Sequence, residues 1–255
     1  MLTNDDGILA PGLAAMQREL STIGDVVVAA PDSVQSASGH AITIHEPITA
    51  RRVHVHNRFY GWAVGGRPAD CVKLAVSELI DPRPDLLISG INDGANVAVN
   101  VLYSGTVAAA AEGAILGIPS VAVSLEWGDE MDFDRAARMA VQLIRRYAGS
   151  VADGRPLCPL LNINIPDLVD DRPVGIRVAP QSVRGVADRY TRDASTDQNT
   201  RYRLSGWFSD FGPSDYDLGA LRDGYVVLTP LHFDMTDHGR LEALGDADWP
   251  KITGL

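Results

Sequence analysis

Asn4-Asp5-Asp6-Gly7, close behind the N-terminus, sets two carboxylates side by side. Adjacent carboxylates repel each other, and a proton or a cation relieves the repulsion. Gly7 permits the tight turn that would aim both at one point. The functional reading is a site for a hard divalent cation, because oxygen ligands suit Mg²⁺, Mn²⁺ or Ca²⁺. The alternative is a solvated turn or the N-cap of a helix opening at Pro11, and for Asp-Asp-Gly alone that plainer reading is preferred.

Other polar stretches shift the balance. Pro31-Asp32 opens a loop holding Ser33, Ser36 and Ser38, and Ser89-Gly90-Ile91-Asn92-Asp93-Gly94 forms another. Tyr103-Ser104-Gly105-Thr106-Val107 directly precedes an alanine-rich segment. A helix start presents free N–H groups and the positive end of the helix dipole, which suits an anion. Gly105 would let a phosphate approach closely, and the Ser104 and Thr106 hydroxyls could donate to its oxygens. The same hydroxyls would serve equally well as ordinary N-caps.

The elements that must position these groups follow from hydrophobic spacing. Residues 1–3 start a short strand. Pro11 and Gly12 open a stretch where Leu13, Met16 and Leu20 recur at helical spacing. Residues 26–30 are a continuous apolar run of the buried-strand kind. Pro68 can begin a helix that continues through Cys71, Val72, Leu74, Ala75 and Leu79. Residues 86–88 and 120–123 read as buried strands, 105–116 as a small-residue helix, and 131–147 as an amphipathic helix. The alternation predicts an α/β chain: a Rossmann-like, mostly parallel sheet with helices on both faces. The oxygen-rich loops then follow the carboxyl ends of parallel strands, which share one edge, and ligands bind in the crevice there. Their convergence favours a metal or phosphate site over isolated turns.

Residues 42–64 read as extended, with Val53, Val55 and Phe59 at period-two positions, and predict a hairpin inserted into the core. Residues 184–217 are polar, aromatic-studded and periodic in neither sense, which suits a projecting arm or lid. Residues 225–229 return as a strand. A weak helix at 240–244 lies in a C-terminal tail, 232–255. The whole of 1–255 reads as a single domain.

Composition bounds the function classes. With 255 residues, 45% hydrophobic and 22% charged, the chain can build one sizeable globular core. No apolar run approaches the roughly 20 residues of a spanning helix, and no secretory pattern opens the sequence. The expectation is a cytoplasmic protein with no membrane partner. Cys71 and Cys158 are far apart without ligand-spaced neighbours, so reduced thiols are expected. A net charge of −11 disfavours a nucleic-acid duplex as partner. A compact phosphate pocket needs only local positive potential from a metal, a helix start or a few Arg side chains. His54 and His56 alternate in an extended segment and look surface-facing, while His232 and His238 lack ligand spacing. Neither a Gly-x-Ser-x-Gly elbow nor a P-loop occurs, which sets aside serine hydrolases and P-loop ATPases.

Together these residues resemble the SurE family of survival-protein nucleotidases. The resemblance rests on Thr3-Asn4-Asp5-Asp6-Gly7, Ala10-Pro11-Gly12, and Ala30-Pro31-Asp32 with its serine loop. It continues through Ser89-Gly90-Ile91-Asn92-x-Gly94-x-Asn96 and Tyr103-Ser104-Gly105-Thr106-Val107-Ala108. Glu112-Gly113, Gly117-Ile118-Pro119-Ser120, Asn162-Ile163-Asn164-Ile165-Pro166 and Thr229-Pro230-Leu231 carry it across almost the whole chain. It implies one divalent metal, Mg²⁺ or Mn²⁺, held by Asp5, Asp6, Ser36 and Asn92. Ser36 is chosen over Ser33 and Ser38 because its place four residues after Asp32 fits the family pattern. It further implies a phosphate cradle of Asn96, Ser104, Gly105 and Thr106, with Asp5 and Asp6 as catalytic carboxylates. The implied activity is hydrolysis of nucleoside monophosphates as a 5′/3′-nucleotidase, with short polyphosphate as a further substrate class. The implied assembly is a homodimer or homotetramer built with the arm and the tail. Three features depart from the pattern: a short first strand, Arg67 where Thr is usual, and Ala98 where Gly is frequent.

Asp5 is the expected carboxylate that activates water or attacks phosphorus, and the sequence leaves both routes open. Two competing classes stand beside this reading. One is a nucleotide-binding regulatory module without hydrolysis; the other is a metal-dependent glycosyltransferase. Paired carboxylates facing a phosphate without a metal would serve a simple anion sensor badly, which favours the hydrolase.

Overall fold

A computed structural model describes residues 1–250 except 57, 150, 153–154, 170–171, 185–186, 196–197 and 208–210. The elements in order are β1 (Leu2–Thr3), α1 (Pro11–Leu20), β2 (Val28–Pro31), β3 (Ala50–Val55), β4 (Arg58–Val64), α2 (Pro68–Leu74), β5 (Leu87–Asp93), α3 (Gly105–Ile115), β6 (Ser120–Leu125) and α4 (Phe133–Ala148). Then follow β7 (Val151–Ala152), β8 (Arg155–Pro156), β9 (Leu160–Ile165), β10 (Gly175–Val178), β11 (Ala187–Ser195), β12 (Thr200–Trp207), α5 (Asp217–Arg222), β13 (Tyr225–Leu231) and α6 (Leu241–Gly245). Among the described residues, nine strands form one sheet in the order β10-β13-β9-β6-β5-β1-β2-β4-β3. Strands β4, β2, β1, β5, β6 and β9 run parallel, whereas β3 and β13 pair antiparallel with their neighbours β4 and β9.

Helices cover both faces because the strands are apolar on both, as parallel strands between helices must be. Alternate side chains of one strand point to opposite faces. Ile88, Val121 and Val123 join a core with Leu13, Met16, Ala140 and Ile144 of α1 and α4. Their neighbours Leu87 and Ala122 join a second core with Val72 of α2 and Val107 and Ala110 of α3. Helix α3 buries all of its residues from Gly105 to Ala114, so its small side chains let it sit close on the sheet. Helix α4 is one-sided instead: Asp132 caps it by accepting from the Arg135 N–H, and its buried residues recur at three- and four-residue spacing.

Segment 42–64 holds an antiparallel hairpin between β2 and α2 in the chain. Its strands are confined to β3 and β4, and β4 pairs parallel with β2, so the hairpin forms one edge of the main sheet. Among the described residues, strands β11 and β12 pair only with each other, as an antiparallel ribbon inside segment 184–217. Helix α6 falls within the tail, whose last residues, 251–255, lie outside the described ones. Both cysteines are free thiols, Cys71 buried and Cys158 half-buried. Among the described residues no helix is long and apolar enough to cross a membrane.

Candidate active site

Strand β1 leads through α1 to β2 on one side, while β5 flanks β1 on the other. The direction of sheet growth therefore reverses at β1. The carboxyl ends of β1 and β5 open the kind of crevice in which α/β sheets hold ligands. The turn leaving β1 is closed by its own first residue: Asn4 Nδ2 donates to Gly7 O at 3.1 Å, and the Gly7 N–H donates to Asn4 Oδ1 at 3.2 Å. Gly7 adopts φ +100°, a left-handed conformation that a side chain would strain. Asp5 and Asp6 are thus presented on a fixed turn, Asp5 buried and Asp6 half-buried.

Asp5 points at the start of α3. The Thr106 hydroxyl donates to Asp5 Oδ1, and backbone N–H groups of Gly105 and Thr106 also serve this carboxylate. Burial, the largest influence, pushes the Asp5 pKa up, and those bonds oppose it. Gly105 is required by space: a Cβ there would lie 2.8 Å from both Asp5 Cβ and Oδ2 and 3.1 Å from Pro68 Cγ. Asp6 Oδ2 accepts from the Asp93 N–H at 3.2 Å. Its pKa is raised to about 6, first by burial and then by the charges of Asp5 and Asp93, against that one bond. Two neighbouring carboxylates whose charged forms are both disfavoured are short of positive charge.

The serine loop is tied down over this pair. The Gln35 N–H donates to Asp5 O at 2.7 Å, and the Gly39 N–H donates to Tyr103 O at 2.9 Å. Beyond it, His40 Nε2 lies 2.9 Å from Glu112 Oε2, and Lys73 Nζ donates to Glu112 Oε1 at 3.0 Å. The three serines are not equivalent. Ser33 donates to Asp32 Oδ1 at 3.0 Å, Ser38 Oγ is buried with no partner among the described residues, and Ser36 is exposed beside Gln35. Asn92 Nδ2 donates to Gly94 O at 2.6 Å, which leaves the Asn92 carbonyl oxygen to accept elsewhere.

Gln35, next to Ser36, bonds the Asp5 backbone, and Asp93, next to Asn92, bonds the Asp6 side chain; among the described residues no bond joins the Ser36 or Asn92 side chain to either aspartate. Ser104 caps α3, its Oγ accepting from the Val107 N–H at 3.0 Å. Asn96 belongs to a different cluster. Its Nδ2 donates to Ser124 Oγ at 2.9 Å, and its backbone N–H and carbonyl engage Asn164 and Asn162 of β9. Among the described residues no bond joins Asn96 to Asp5 or Asp6. Ala98 adopts φ +53°, held there by its N–H donating to Asp217 Oδ2 at 2.8 Å and by Gln181 Nε2 donating to its carbonyl at 2.8 Å. A left-handed conformation explains a preference for Gly at this place.

Among the described residues no group of three or more His, Cys, Asp or Glu side chains could hold a metal. A cation at this crevice would therefore draw on two carboxylates and neutral oxygens, a donor set that fits Mg²⁺ or Mn²⁺. Sequence reasoning did not find the Thr106–Asp5 bond, the Glu112 pair with His40 and Lys73, or a cavity of about 340 Å³ beside Asp6 lined by Leu9, Val34 and Arg51. No short-range pattern encodes them, because each joins segments that only the sheet order makes neighbours.

The family model described as survival protein SurE matches residues 1–188. A Syntrophobacter fumaroxidans protein named 5′-nucleotidase SurE is 42% identical over 247 residues, covering 96% of this chain and 97% of its own. A Rhodopirellula baltica protein of the same name is 42% identical over 248 residues, with 96% and 97% covered. The solved SurE protein from Aquifex aeolicus superposes with a TM-score of 0.81 at 34% identity, covering 95% of this chain and 96% of its own.

Proposed function

The chain belongs to the survival protein SurE family, and from that premise we propose that it is a 5′-nucleotidase, a phosphatase that hydrolyses nucleoside monophosphates to nucleoside and phosphate. The observation that carries the proposal is the Asp5–Asp6 pair, set at the switch-point crevice against the first turn of α3. The positive dipole end of α3 beside a charge-deficient carboxylate pair supports a site for a phosphate and a cation, not for a phosphate alone.

Asp5, Asp6, Ser36 and Asn92 would hold one Mg²⁺ or Mn²⁺, which when bound supplies charge neutralisation and Lewis acidity at a phosphate oxygen. Ser104 keeps its own hydroxyl proton after accepting from Val107 and donates it to a phosphate oxygen. The Gly105 and Thr106 N–H groups already serve Asp5, so the start of α3 acts on the transferred group through its positive dipole end, since phosphoryl transfer depends mainly on positioning and electrostatics. Thr106 fixes the Asp5 carboxylate, which takes the proton of the attacking water or itself attacks phosphorus. Asn96 Nδ2 spends one of its two N–H donors on Ser124 Oγ and has the other to offer a phosphate oxygen. Action on 3′-monophosphates and short polyphosphate, a cytoplasmic location, and a homodimer or homotetramer complete the proposal.

Phosphate release from a panel of 5′- and 3′-nucleoside monophosphates, with protein stripped by EDTA and then given Mg²⁺ or Mn²⁺, tests it. Release that depends on restored metal is the expected result. Folded, metal-supplied protein that releases none would make the chain a nucleotide-binding module without hydrolysis.

A further inference from the structure

Arg67 stands at the start of α2, immediately before Pro68, and its backbone is locked there. Its N–H donates to Asp70 Oδ2 at 2.8 Å, and buried Asp70 accepts in turn from the Thr43 N–H and hydroxyl at 2.9 and 2.7 Å. Pro68 lies against Gly105, where a Cβ would come within 3.1 Å of Pro68 Cγ. The base of the Arg67 side chain is therefore set beside the first turn of α3, the end of the site that receives an anion.

The guanidinium itself is exposed and crosses to the serine loop, where Nη1 donates to Gln35 Oε1 at 2.7 Å. Gln35 is the residue whose backbone N–H holds Asp5 O. A guanidinium carries five N–H donors, and its planar fork matches phosphate oxygens. The bond to Gln35 uses one of them, on a neutral acceptor. Among the described residues no carboxylate forms an ion pair with Arg67. In a chain of net charge −11, this cation, in no ion pair with a carboxylate among the described residues, reaches the loop residue that bonds the Asp5 backbone.

We propose that Arg67 is a substrate-binding residue, its guanidinium donating to a non-bridging oxygen of the nucleotide phosphate while Gln35 steadies the other edge of the fork. The proposal rests on the nucleotidase reading and names the side chain that draws the anion past the acidic pair. Charge-assisted bonds of this kind weaken binding by about ten-fold or more when removed.

The test compares Arg67→Ala and Arg67→Lys with the unaltered chain, all loaded with saturating Mn²⁺. It follows KM and kcat for a nucleoside monophosphate, calorimetric binding of inorganic phosphate, and Mn²⁺ affinity. The expected result for Arg67→Ala is a rise in KM and a loss of inorganic phosphate affinity, each by about ten-fold, with kcat and Mn²⁺ affinity within about three-fold. Arg67→Lys recovers part of the loss, because it keeps the charge without the fork. Unchanged KM and phosphate affinity overturn the assignment. So does a fall in Mn²⁺ affinity at unchanged phosphate affinity, which would make Arg67 only a brace for the serine loop. Phosphate binding needs no turnover, so its loss in Arg67→Ala supports the site even if no nucleotide is hydrolysed. An unaltered chain that hydrolyses nucleotides alongside an Arg67→Ala variant of equal KM refutes Arg67 alone.

Discussion

Thr106 and Asp5 stand 101 positions apart, and the threonine hydroxyl donates to Asp5 Oδ1 where β1 meets the start of α3. The carboxylate in the turn after the first strand thereby helps to cap the buried helix, and the helix holds the carboxylate in one orientation. Thr106→Val keeps the branched shape and deletes only the donor. A buried acceptor left without its partner costs about 1–3 kcal/mol. The expected outcome is a folded protein whose kcat for nucleoside monophosphates falls by about ten-fold or more, checked by steady-state kinetics beside a thermal melt.

Gly105→Ala should cost both stability and activity. The added methyl would sit 2.8 Å from Asp5 Cβ and meet Pro68 Cγ at 3.1 Å, and neither neighbour is the loose end of a flexible side chain. Overpacking of this kind costs about 1–3 kcal/mol. Urea unfolding of the metal-free variant should show a lower midpoint at unchanged m-value, and the metal-loaded variant should lose most turnover.

Asp6 gives the metal-free protein a pH signature. Its folded pKa of about 6 lies above the ordinary 3.8, so between those values the folded state holds a proton that the unfolded state has lost. Stability contributed by that proton is complete below about pH 4 and is lost as the pH rises through 6. Asp6→Asn should therefore stabilise the metal-free protein at pH 7, by on the order of 1 kcal/mol after solvent screening of this half-buried group, and have no such effect near pH 4. Chemical denaturation of EDTA-stripped protein at the two pH values measures the difference. Cation binding near pH 5 should also release a proton, visible as a dependence of the binding heat on the buffer.

Glu112 works in the opposite sense. Burial opposes its ionisation, but bonds and charge from His40 and Lys73 outweigh burial and hold its carboxyl below the ordinary 4.5. The resulting stability is present above pH 4.5 and is lost as the pH falls through the folded value. Glu112→Ala should destabilise by about 1–3 kcal/mol at pH 7 and loosen residues 33–40, which hydrogen exchange of the Gly39 amide would report.

Much of the fold was legible because burial writes itself into spacing. Helices α1, α3 and α4 and the strands β2, β5 and β6 carry apolar periodicity or unbroken apolar runs that local rules read directly. Strand β10 was not legible: its Ile176 and Val178 face outward, the reverse of an amphipathic edge. The β11–β12 ribbon places Arg189, Tyr190, Arg201 and Tyr202 on exposed positions, so no buried face imposes period two. The pairing of β4 with β2 is a fact of sheet order, invisible in either segment. In the site, the loops were found because they follow strands. Their partners were not, since Thr106, Gln35 and Glu112 act on residues that only tertiary packing brings near.

The central claim is that Asp5 and Asp6 form the phosphate-hydrolysing centre, and single Asp5→Asn and Asp6→Asn variants test it most directly. Each removes one negative charge with little change of shape, so folding can be verified by circular dichroism before inorganic phosphate is measured. The account requires that the metal-supplied parent chain release phosphate from a nucleoside 5′-monophosphate and that each folded variant lose at least about 100-fold in rate, roughly 3 kcal/mol of transition-state stabilisation. Near-parental release from both folded variants would contradict it and move the chemistry away from the β1 turn.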